Sequence, residues 1–400
     1  MLNRRELLKK ISAIPLAGGI TVAEISAPSA APDWAKELGI RTFINAAGTY
    51  TSMTGSLMPD EVVQAIQAAS KEFMILDDVQ TKVGERIAAI THAEAAVVTA
   101  GCFSALTLGL AGVLTGTDQA KVEALPHLAG TGMKSEVIMQ KGHSIGYSHA
   151  LTNTGCKIVY IETAEELEKA ISPNTALMWF LHIQSDKGKI NHQDWVSVAR
   201  KHGIPTMIDI AADVPPVENL WRFNDMGFDL VCVSGGKAMR GPQSAGILMG
   251  KKHFIEAARL SMPPRGSTIG RGMKVNKEEI IGMYVALDRF VRLDQKKEWD
   301  IWEQRTALIE NAAKSVSGVS TTVTRPELGN HTPTLKITWD TEKIDISSKS
   351  FLENLRNGSP SIEVMSAGPN GISVTTWMLK TGQEKIVAGR IKDVLKGALK

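Results

Sequence analysis

The stretch that decides the fold is residues 228–250, which read FDLVCVSGGKAMRGPQSAGILMG. An apolar run ends at Ser234, two glycines and Lys237 follow, and a second apolar run begins at Ala245. This pattern predicts two buried strands joined by a glycine-rich turn that carries the lysine. A lysine in such a place can lose water and charge together, so that its amine becomes nucleophilic near neutral pH. The alternative is a surface lysine on an ordinary loop between two strands. Motifs elsewhere in the chain distinguish the two interpretations.

Composition and charge describe an ordinary globular protein of several domains. The chain has 400 residues, of which 43% are hydrophobic and 22% are charged. Its formal net charge is +3, and no stripe of basic and aromatic residues is present, which argues against a nucleic-acid partner. The three cysteines, Cys102, Cys156 and Cys232, lie far apart without a CxxC motif. We therefore expect neither a disulfide framework nor a metal site.

Residues 1–31 have the order of an export signal. The paired Arg4 and Arg5 begin a basic segment, a moderately apolar stretch covers residues 11–25, and small residues fill 27–31. This order predicts export by the twin-arginine route, and therefore a periplasmic protein. The alternative is an amphipathic N-terminal helix on a cytoplasmic protein. The apolar stretch is too short and interrupted for a good membrane span, and nothing later in the chain reaches membrane length, so no membrane association is expected after signal removal.

The remainder of the sequence predicts an arm and two domains. Residues 32–60 form an extended arm, and residues 61–275 alternate between helical patterns and short apolar runs. Such alternation predicts an α/β domain with a mostly parallel sheet covered by helices on both faces, and ligands at the carboxyl ends of its strands. From Asn276 the pattern predicts a long helix and then a smaller α+β domain, residues 276–400. The large domain contains seven strand candidates: 96–99, 137–140, 157–160, 176–181, 205–209, 230–234 and 245–250.

If Lys237 binds an aldehyde cofactor such as pyridoxal phosphate, a buried carboxylate must keep the pyridine nitrogen protonated. Asp209 ends an apolar run 28 residues before Lys237, and the small Ala211 just after it leaves room for a ring. The alternative role for Asp209 is that of a helix cap or turn residue, which is common at strand ends.

The cofactor's phosphate and ring face require further groups. Free amides at a helix N-terminus bind phosphate, and Gly101, Cys102, Phe103 and Ser104 lie between a strand and an apolar helix, where the hydroxyl of Ser234 can assist. Neither GxGxxG nor GxxxxGK[ST] occurs, so a nucleotide site is not supported. His143 follows a strand and could stack on the ring, although a lone loop histidine is more often solvated.

Taken together, these motifs resemble the fold-type I pyridoxal phosphate enzymes. Strand–glycine–helix, strand–histidine, strand–aspartate and strand–Ser-x-x-Lys occur in that order. Residues 234–243, SGGKAMRGPQ, are similar to the lysine segment of the selenocysteine synthase (L-seryl-tRNA selenium transferase) group, and more similar to its D-glucosaminate-6-phosphate ammonia-lyase branch. Other similar segments are 44–48 (INAAG), 93–99 (AEAAVVT) and 136–143 (EVIMQKGH).

The resemblance implies roles for the candidate residues. Lys237 would form the Schiff base with the cofactor, Asp209 would bind the ring nitrogen, and His143 would lie over the ring. Residues 101–104 and Ser234 would hold the phosphate. The resemblance also implies a homo-oligomer in which neighbouring subunits complete each site. The selenium transferases carry an extra N-terminal module for tRNA, whereas this chain has an export signal there, so a tRNA substrate is not expected.

The expected activity is a pyridoxal phosphate-dependent lyase acting on an amino acid or amino sugar acid. Abstraction of the α-proton and β-elimination would give a 2-oxo acid and ammonia. Arg240, Arg265 and Arg271 are candidates for binding the substrate carboxylate, and Asn45 in the arm is a further substrate-binding candidate. The alternatives are racemisation, aldol cleavage, transamination or selenium-transferase-like chemistry on the same cofactor, or a relative without catalytic activity.

Overall fold

A computed structural model describes residues 33–400 of the chain, which divides into two units, residues 1–42 and residues 43–400. The proposed export signal lies outside the described residues. In the first unit a short helix, α1 (Trp34–Glu37), begins at Asp33, whose carboxylate accepts a hydrogen bond from the Lys36 amide. Among the described residues, no helix combines the length and apolar character that crossing a bilayer requires.

A seven-stranded sheet forms the centre of the second unit, as the sequence predicts. Its spatial order is β2-β8-β7-β6-β5-β3-β4, and β8 alone runs antiparallel to both of its neighbours. The remaining pairs are parallel, so this is a mostly parallel sheet. The strands are β2 Ala95–Thr99, β3 Glu136–Gln140, β4 Lys157–Ile161, β5 Thr175–Leu181, β6 Thr206–Asp209, β7 Leu230–Ser234 and β8 Gly246–Gly250.

Helices cover both faces of this sheet, which explains why its strands read as continuous apolar runs. Along β5, for example, Phe180 packs into one core and Trp179 into the other, and both are fully buried. The helices of this region are α2 Asp60–Ala69, α3 Leu76–Thr91, α4 Gly101–Thr115, α5 Gln119–Ala124, α6 His149–Thr152, α7 Ala164–Ala170, α8 His192–His202, α9 Asn219–Met226 and α10 Lys252–Leu260.

Two buried glutamines bind backbone groups that have no partner in the sheet. The amide of Gln80 on α3 donates to the Val98 carbonyl (2.8 Å) and accepts from the Val98 N–H (3.0 Å), on the outer edge of β2. Gln140, at the end of β3, forms the same pair of bonds with Ile190 in the segment before α8 (2.9 and 2.8 Å). A buried backbone group without a partner is costly, so Gln80 takes the place of a neighbouring strand and Gln140 holds the segment before α8 in position.

The C-terminal region begins with two helices rather than the one long helix that the sequence pattern predicts. Helix α11 (Lys277–Arg292) begins at Asn276, which forms the expected cap with Glu279. The chain then turns at Leu293, and Asp294 caps α12 (Gln295–Lys314) by accepting from the Lys297 amide. Asp294 favours a new helix start at this point, because its side chain accepts from the Lys297 amide, which would be bonded to a backbone carbonyl in a continuous helix.

A smaller antiparallel sheet follows, together with two helices, as expected for an α+β domain. Its order is β12-β13-β10-β9. A separate two-stranded parallel sheet joins β1 of the arm (Ile44–Asn45) to β11. Ile44 and Ala46 belong to the same core as this sheet. The boundaries between arm and domains proposed from the sequence stay a prediction. The elements are β9 Val319–Thr324, β10 Thr334–Trp339, α13 Ser348–Arg356, β11 Ile362–Glu363, β12 Met365–Ser366, β13 Gly371–Thr375 and α14 Gln383–Gly397.

We predict that Gln80→Met lowers the free energy of unfolding by about 2–4 kcal/mol, because it leaves two backbone groups of Val98 buried without partners at about 1–3 kcal/mol each. Chemical denaturation followed by circular dichroism measures the loss. Gln64→Met on the exposed side of α2 is the matched control and should change the stability little. Equal effects of the two substitutions would show that the Gln80 bonds do not stabilise the edge strand.

Candidate functional site

The turn between β7 and β8 places Lys237 at the carboxyl end of β7. Neither of its two glycines lies at a positive φ, so backbone conformation does not require them. Close packing does. A Cβ on Gly235 would lie 2.0 Å from the Met283 sulfur, and one on Gly236 would lie 2.5 Å from the Gln243 Cα. Lys237 is half-buried, and no hydrogen bond or ion pair joins its ammonium to another described residue. The turn therefore fixes the backbone that carries Lys237 and leaves its amine without a hydrogen-bond partner among the described residues.

Asp209 is the buried carboxylate of the site. It lies at the end of β6, next to Cys232 of β7, and only 4% of it is exposed. Its Oδ1 accepts from the Ala211 amide (2.9 Å) and lies 3.6 Å from the Cys102 thiol. Burial raises the pKa of Asp209, while the Ala211 amide and the charge of Lys237 lower it. A carboxylate held in this way can bind a cationic N–H group.

The N-terminus of α4 adjoins the lysine turn through a close backbone contact. Gly246 pairs with Ser234 across the β7–β8 ladder, and a Cβ on Gly246 would lie 2.5 Å from the Gly101 carbonyl carbon. Gly101 begins α4 with φ at 84°, and Ala100 at the N-cap supplies no side-chain hydrogen bond. The first amides of a helix have no partner within it, so this end is available to an anion near Ser234.

The side chains of residues 102–104 differ in their contacts and in their exposure to solvent. The Cys102 thiol points to Asp209, and burial raises its pKa well above the usual range, so it is an un-ionised donor. The Ser104 hydroxyl donates to the Ala100 carbonyl (2.8 Å), whereas Phe103 is 38% exposed. The thiol contact joins the start of α4 to the carboxylate, which sequence reasoning did not predict.

His143 lies just after β3 and contacts the end of β5. It is fully buried, its Nδ1 accepts from the Leu181 amide (3.2 Å), and its ring meets Phe180 edge to face at 4.5 Å. Burial lowers its pKa to about 4, assisted by His192, so the imidazole is neutral. Stacking of this ring on a cofactor stays a prediction from the resemblance.

The arm residue Asn45 stabilises its own turn. Its Oδ1 accepts from the Ala47 and Gly48 amides (3.0 Å each), and its Nδ2 donates to the Gly48 carbonyl (2.9 Å). These bonds give Asn45 a structural role, and the substrate-binding role expected from the sequence stays a prediction.

The three candidate arginines lie in different environments. Arg240 is inside the lysine turn, where its Nη2 donates to the Trp377 carbonyl (2.5 Å), and burial lowers its pKa. Arg265 lies 3.3 Å from the Asp77 carboxylate, which also binds Arg259. Arg271 is exposed. Only Arg240 is therefore held against the turn that carries Lys237.

A second buried carboxylate, Asp213, lies on the turn that follows β6. It is 2% exposed, and its Oδ1 accepts from the Gly329 amide (2.9 Å). Burial and, to a smaller extent, the charge of Asp209 raise its pKa to about 7, although the Gly329 amide and Lys237 act in the opposite direction. Sequence reasoning missed this residue. Its signal was an acidic residue in an otherwise apolar segment, four positions after Asp209.

The residues at the sheet edge fit pyridoxal 5'-phosphate chemically. An amine on a rigid turn (Lys237), a buried carboxylate (Asp209) and an uncapped helix N-terminus beside Ser234 match the aldehyde, the ring nitrogen and the phosphate of that molecule. The absence of a Cβ at Gly246 is what lets the helix end approach the lysine turn.

Comparison with known proteins agrees with this assignment. The aminotransferase class-V family matches residues 56–273. D-glucosaminate-6-phosphate ammonia lyase of Salmonella typhimurium is 27% identical over 342 residues, covering 83% of this chain and 89% of the relative. A solved structure of D-glucosaminate-6-phosphate ammonia-lyase superposes with a TM-score of 0.80 at 25% identity, covering 92% of this chain and 100% of the other.

The names of two further relatives describe other reactions. The 5'-C-glycyluridine monooxygenase-decarboxylase of a Streptomyces species is 25% identical over 341 residues, covering 82% of each chain. An L-seryl-tRNA(Sec) selenium transferase of Maridesulfovibrio salexigens is 24% identical over 322 residues, covering 72% of this chain and 64% of the relative. The resemblance inferred from the sequence is thus confirmed. Because the family match spans more than half of the chain, the protein belongs to the aminotransferase class-V family of fold-type I enzymes, whose cofactor is pyridoxal 5'-phosphate.

Proposed function

We propose that the protein is a lyase that releases ammonia from an amino acid or amino sugar acid and leaves a 2-oxo acid. The observation that supports this most is the similarity to D-glucosaminate-6-phosphate ammonia lyase across 83% of the chain, together with Lys237 and Asp209 at one edge of the sheet. A protein without catalytic activity would need neither the amine nor the buried carboxylate, and burying the carboxylate is costly.

The cofactor, when bound, supplies an electron-accepting ring that stabilises negative charge on the substrate Cα. Lys237 holds the cofactor at its Nζ; once released, the amine takes the α-proton and later returns a proton to the departing β-group. Asp209 keeps its charge toward the ring nitrogen, and the amides of α4 with Ser234 hold the phosphate. The α-proton and a β-hydroxyl leave as water, and hydrolysis of the released enamine gives the 2-oxo acid and ammonia.

The substrate we propose is an unphosphorylated amino acid or amino sugar acid, because an exported protein would rarely meet phosphorylated sugars. Export itself stays a prediction from residues 1–31. Among the three candidate arginines, Arg240 is the one best placed to bind the carboxylate, since it lies three residues after Lys237 and its guanidinium already reaches the C-terminal region at Trp377. A tRNA substrate is not proposed, because the match covers only 64% of the selenium transferase.

A second candidate is a different reaction with the same cofactor. The relative named as a monooxygenase-decarboxylase covers as much of this chain as the ammonia lyase does, within 1%. Loss of the carboxylate, racemisation, aldol cleavage and transamination all begin from the same bound amino compound. Product analysis separates them, since ammonia with a 2-oxo acid indicates elimination and carbon dioxide indicates decarboxylation.

We predict that the holoprotein releases ammonia from serine, threonine, one of their D-forms or glucosaminate, and that Lys237→Ala lowers this rate by about 10²–10⁴-fold or more, because it removes the group that moves the α-proton. Lys82→Ala changes an exposed lysine of α3 and serves as the control. Borohydride reduction followed by peptide mapping should label Lys237. A label on another lysine would overturn the assignment, and a labelled protein without ammonia release would reject only the lyase.

A second prediction concerns the contact between α4 and the lysine turn. Gly246→Ala places a Cβ 2.5 Å from the Gly101 carbonyl carbon, so we expect a loss of about 1–3 kcal/mol of stability and weaker binding of pyridoxal phosphate. Gly389→Ala, on the exposed side of α14 with no atom within 4 Å, should stabilise the protein by about 0.5–1 kcal/mol and leave cofactor affinity unchanged. Fluorescence titration with the cofactor distinguishes the two. Unchanged affinity in Gly246→Ala would show that the helix end does not hold the phosphate.

We further propose a homo-oligomer that completes each site. Large apolar side chains on both sides of α2 support it, since Leu57, Phe73 and Ile75 are 61%, 106% and 69% exposed. Phe73→Glu should dissociate the oligomer, as measured by light scattering after gel filtration, whereas Tyr160→Glu on β4 should not. A wild-type protein that elutes as a monomer would reject the proposal.

A further inference from the structure

Asp213 connects the end of β6 to the C-terminal region. The loop between β9 and β10, residues 325–333, lies against the turn that follows Asp209. Its Gly329 amide donates to Asp213 Oδ1 (2.9 Å), and its Asn330 amide donates to the Ala212 carbonyl (2.6 Å). From α9, the Asn219 side chain donates to the Asp213 carbonyl (2.7 Å). Two loops and a helix therefore enclose one carboxyl group, 2% of which is exposed.

Several buried polar atoms around this carboxyl group have no hydrogen-bond partner among the described residues. These atoms are Asp213 Oδ2, Asn219 Oδ1 and Asn330 Oδ1. All three are acceptor oxygens when the carboxyl group is ionised. A proton on Asp213 Oδ2 would remove the charge from a buried carboxyl group that has only one hydrogen-bond donor, the Gly329 amide, and would turn one of its acceptor oxygens into a donor. The geometry thus favours an un-ionised carboxylic acid at this position.

The charges around the pair of carboxyl groups lead to the same assignment. Asp209 and Lys237 are the charged groups that act on Asp213. Helix α9 also carries Arg222 and Asp225, and the 325–333 loop carries Arg325, Glu327 and His331, but the groups that these elements place in hydrogen bonds at Ala212 and Asp213 are neutral. Two buried carboxylates near one ammonium favour uptake of a proton. Asp209 has both an amide and a thiol donor at its Oδ1, whereas the Asp213 carboxyl has a single amide. The proton therefore resides on the group with fewer donors.

We propose that Asp213 is a positioning residue that holds this proton as a neutral carboxylic acid, so that Asp209 stays ionised toward the cofactor ring and the 325–333 loop stays docked on the end of β6. This inference rests on the proposed role of Asp209 in binding the cofactor, but not on which reaction the enzyme catalyses. The raised pKa of Asp213, about 7, is consistent with a neutral group at pH 6.

The test compares Asp213→Asn with Asp209→Asn by infrared difference spectroscopy of the holoenzyme at pH 6. The carbonyl stretch of an un-ionised carboxylic acid should be present in the wild type, absent in Asp213→Asn and retained in Asp209→Asn. Asparagine keeps the shape and neutrality of the acid, so Asp213→Asn should fold and bind pyridoxal phosphate. Asp213→Ala should bind the cofactor about 10-fold more weakly, because the Gly329 amide loses its acceptor.

Thermal unfolding of the apoprotein gives an independent measurement. A carboxyl group whose folded pKa is raised contributes stability that is complete below its unfolded pKa, 3.8, and is lost as the pH rises through about 7. The Tm of the wild type relative to Asp213→Asn should therefore fall between these pH values. An acid band that disappears in Asp209→Asn but persists in Asp213→Asn would overturn the proposal. So would a Tm difference that does not change with pH. Failure to release ammonia would affect neither measurement, and would reject only the lyase.

Discussion

The structure depends on one costly constraint, a carboxylate buried at the end of a central strand. Asp209 lies between β5 and β7, where water cannot solvate it, so its charge must be balanced by the protein or by a ligand. The Ala211 amide, the Cys102 thiol and the charge of Lys237 provide part of that balance. These groups come from the end of β6, the start of α4 and the β7–β8 turn. The elements of the site meet where this carboxylate needs partners, and a cationic ring nitrogen would complete the set.

The positions of Lys237 and Asp209 were predictable because they follow from local patterns. The inner strands β5, β6, β7 and β8 are buried on both faces, so each appears in the sequence as an apolar run whose end can be located, whereas the edge strand β4 is half-exposed. The polar residues that follow such runs must lie at one edge of a parallel sheet. In the C-terminal domain no apolar run marks β9, because its sequence, VSTTVT, alternates between half-buried and exposed residues and is rich in threonine. The break before α12 escaped prediction because an amphipathic pattern continues through Asp294.

Environments formed by distant parts of the chain were not predictable. Whether His143 faces a ligand or the core depends on Phe180 and His192, which lie far along the chain. Asp213 reads as an ordinary turn residue until Gly329, 116 positions later, is placed against it. The hydrogen bonds that Asn45 forms within its own turn were likewise not visible in the sequence. In each case the residue type was visible in the sequence, but its partners were not.

The N-terminal arm mechanically couples two parts of the molecule. Ile44 is hydrogen-bonded to the Ser361 carbonyl and packs in the C-terminal core, whereas Ser56, a short distance along the chain, donates to the Gly236 carbonyl next to Lys237. The segment between residues 44 and 56, held at one end by the Asn45 turn, therefore joins the C-terminal core to the backbone of the turn that carries Lys237. A displacement of that core relative to the lysine turn would have to distort this segment or break one of its hydrogen bonds.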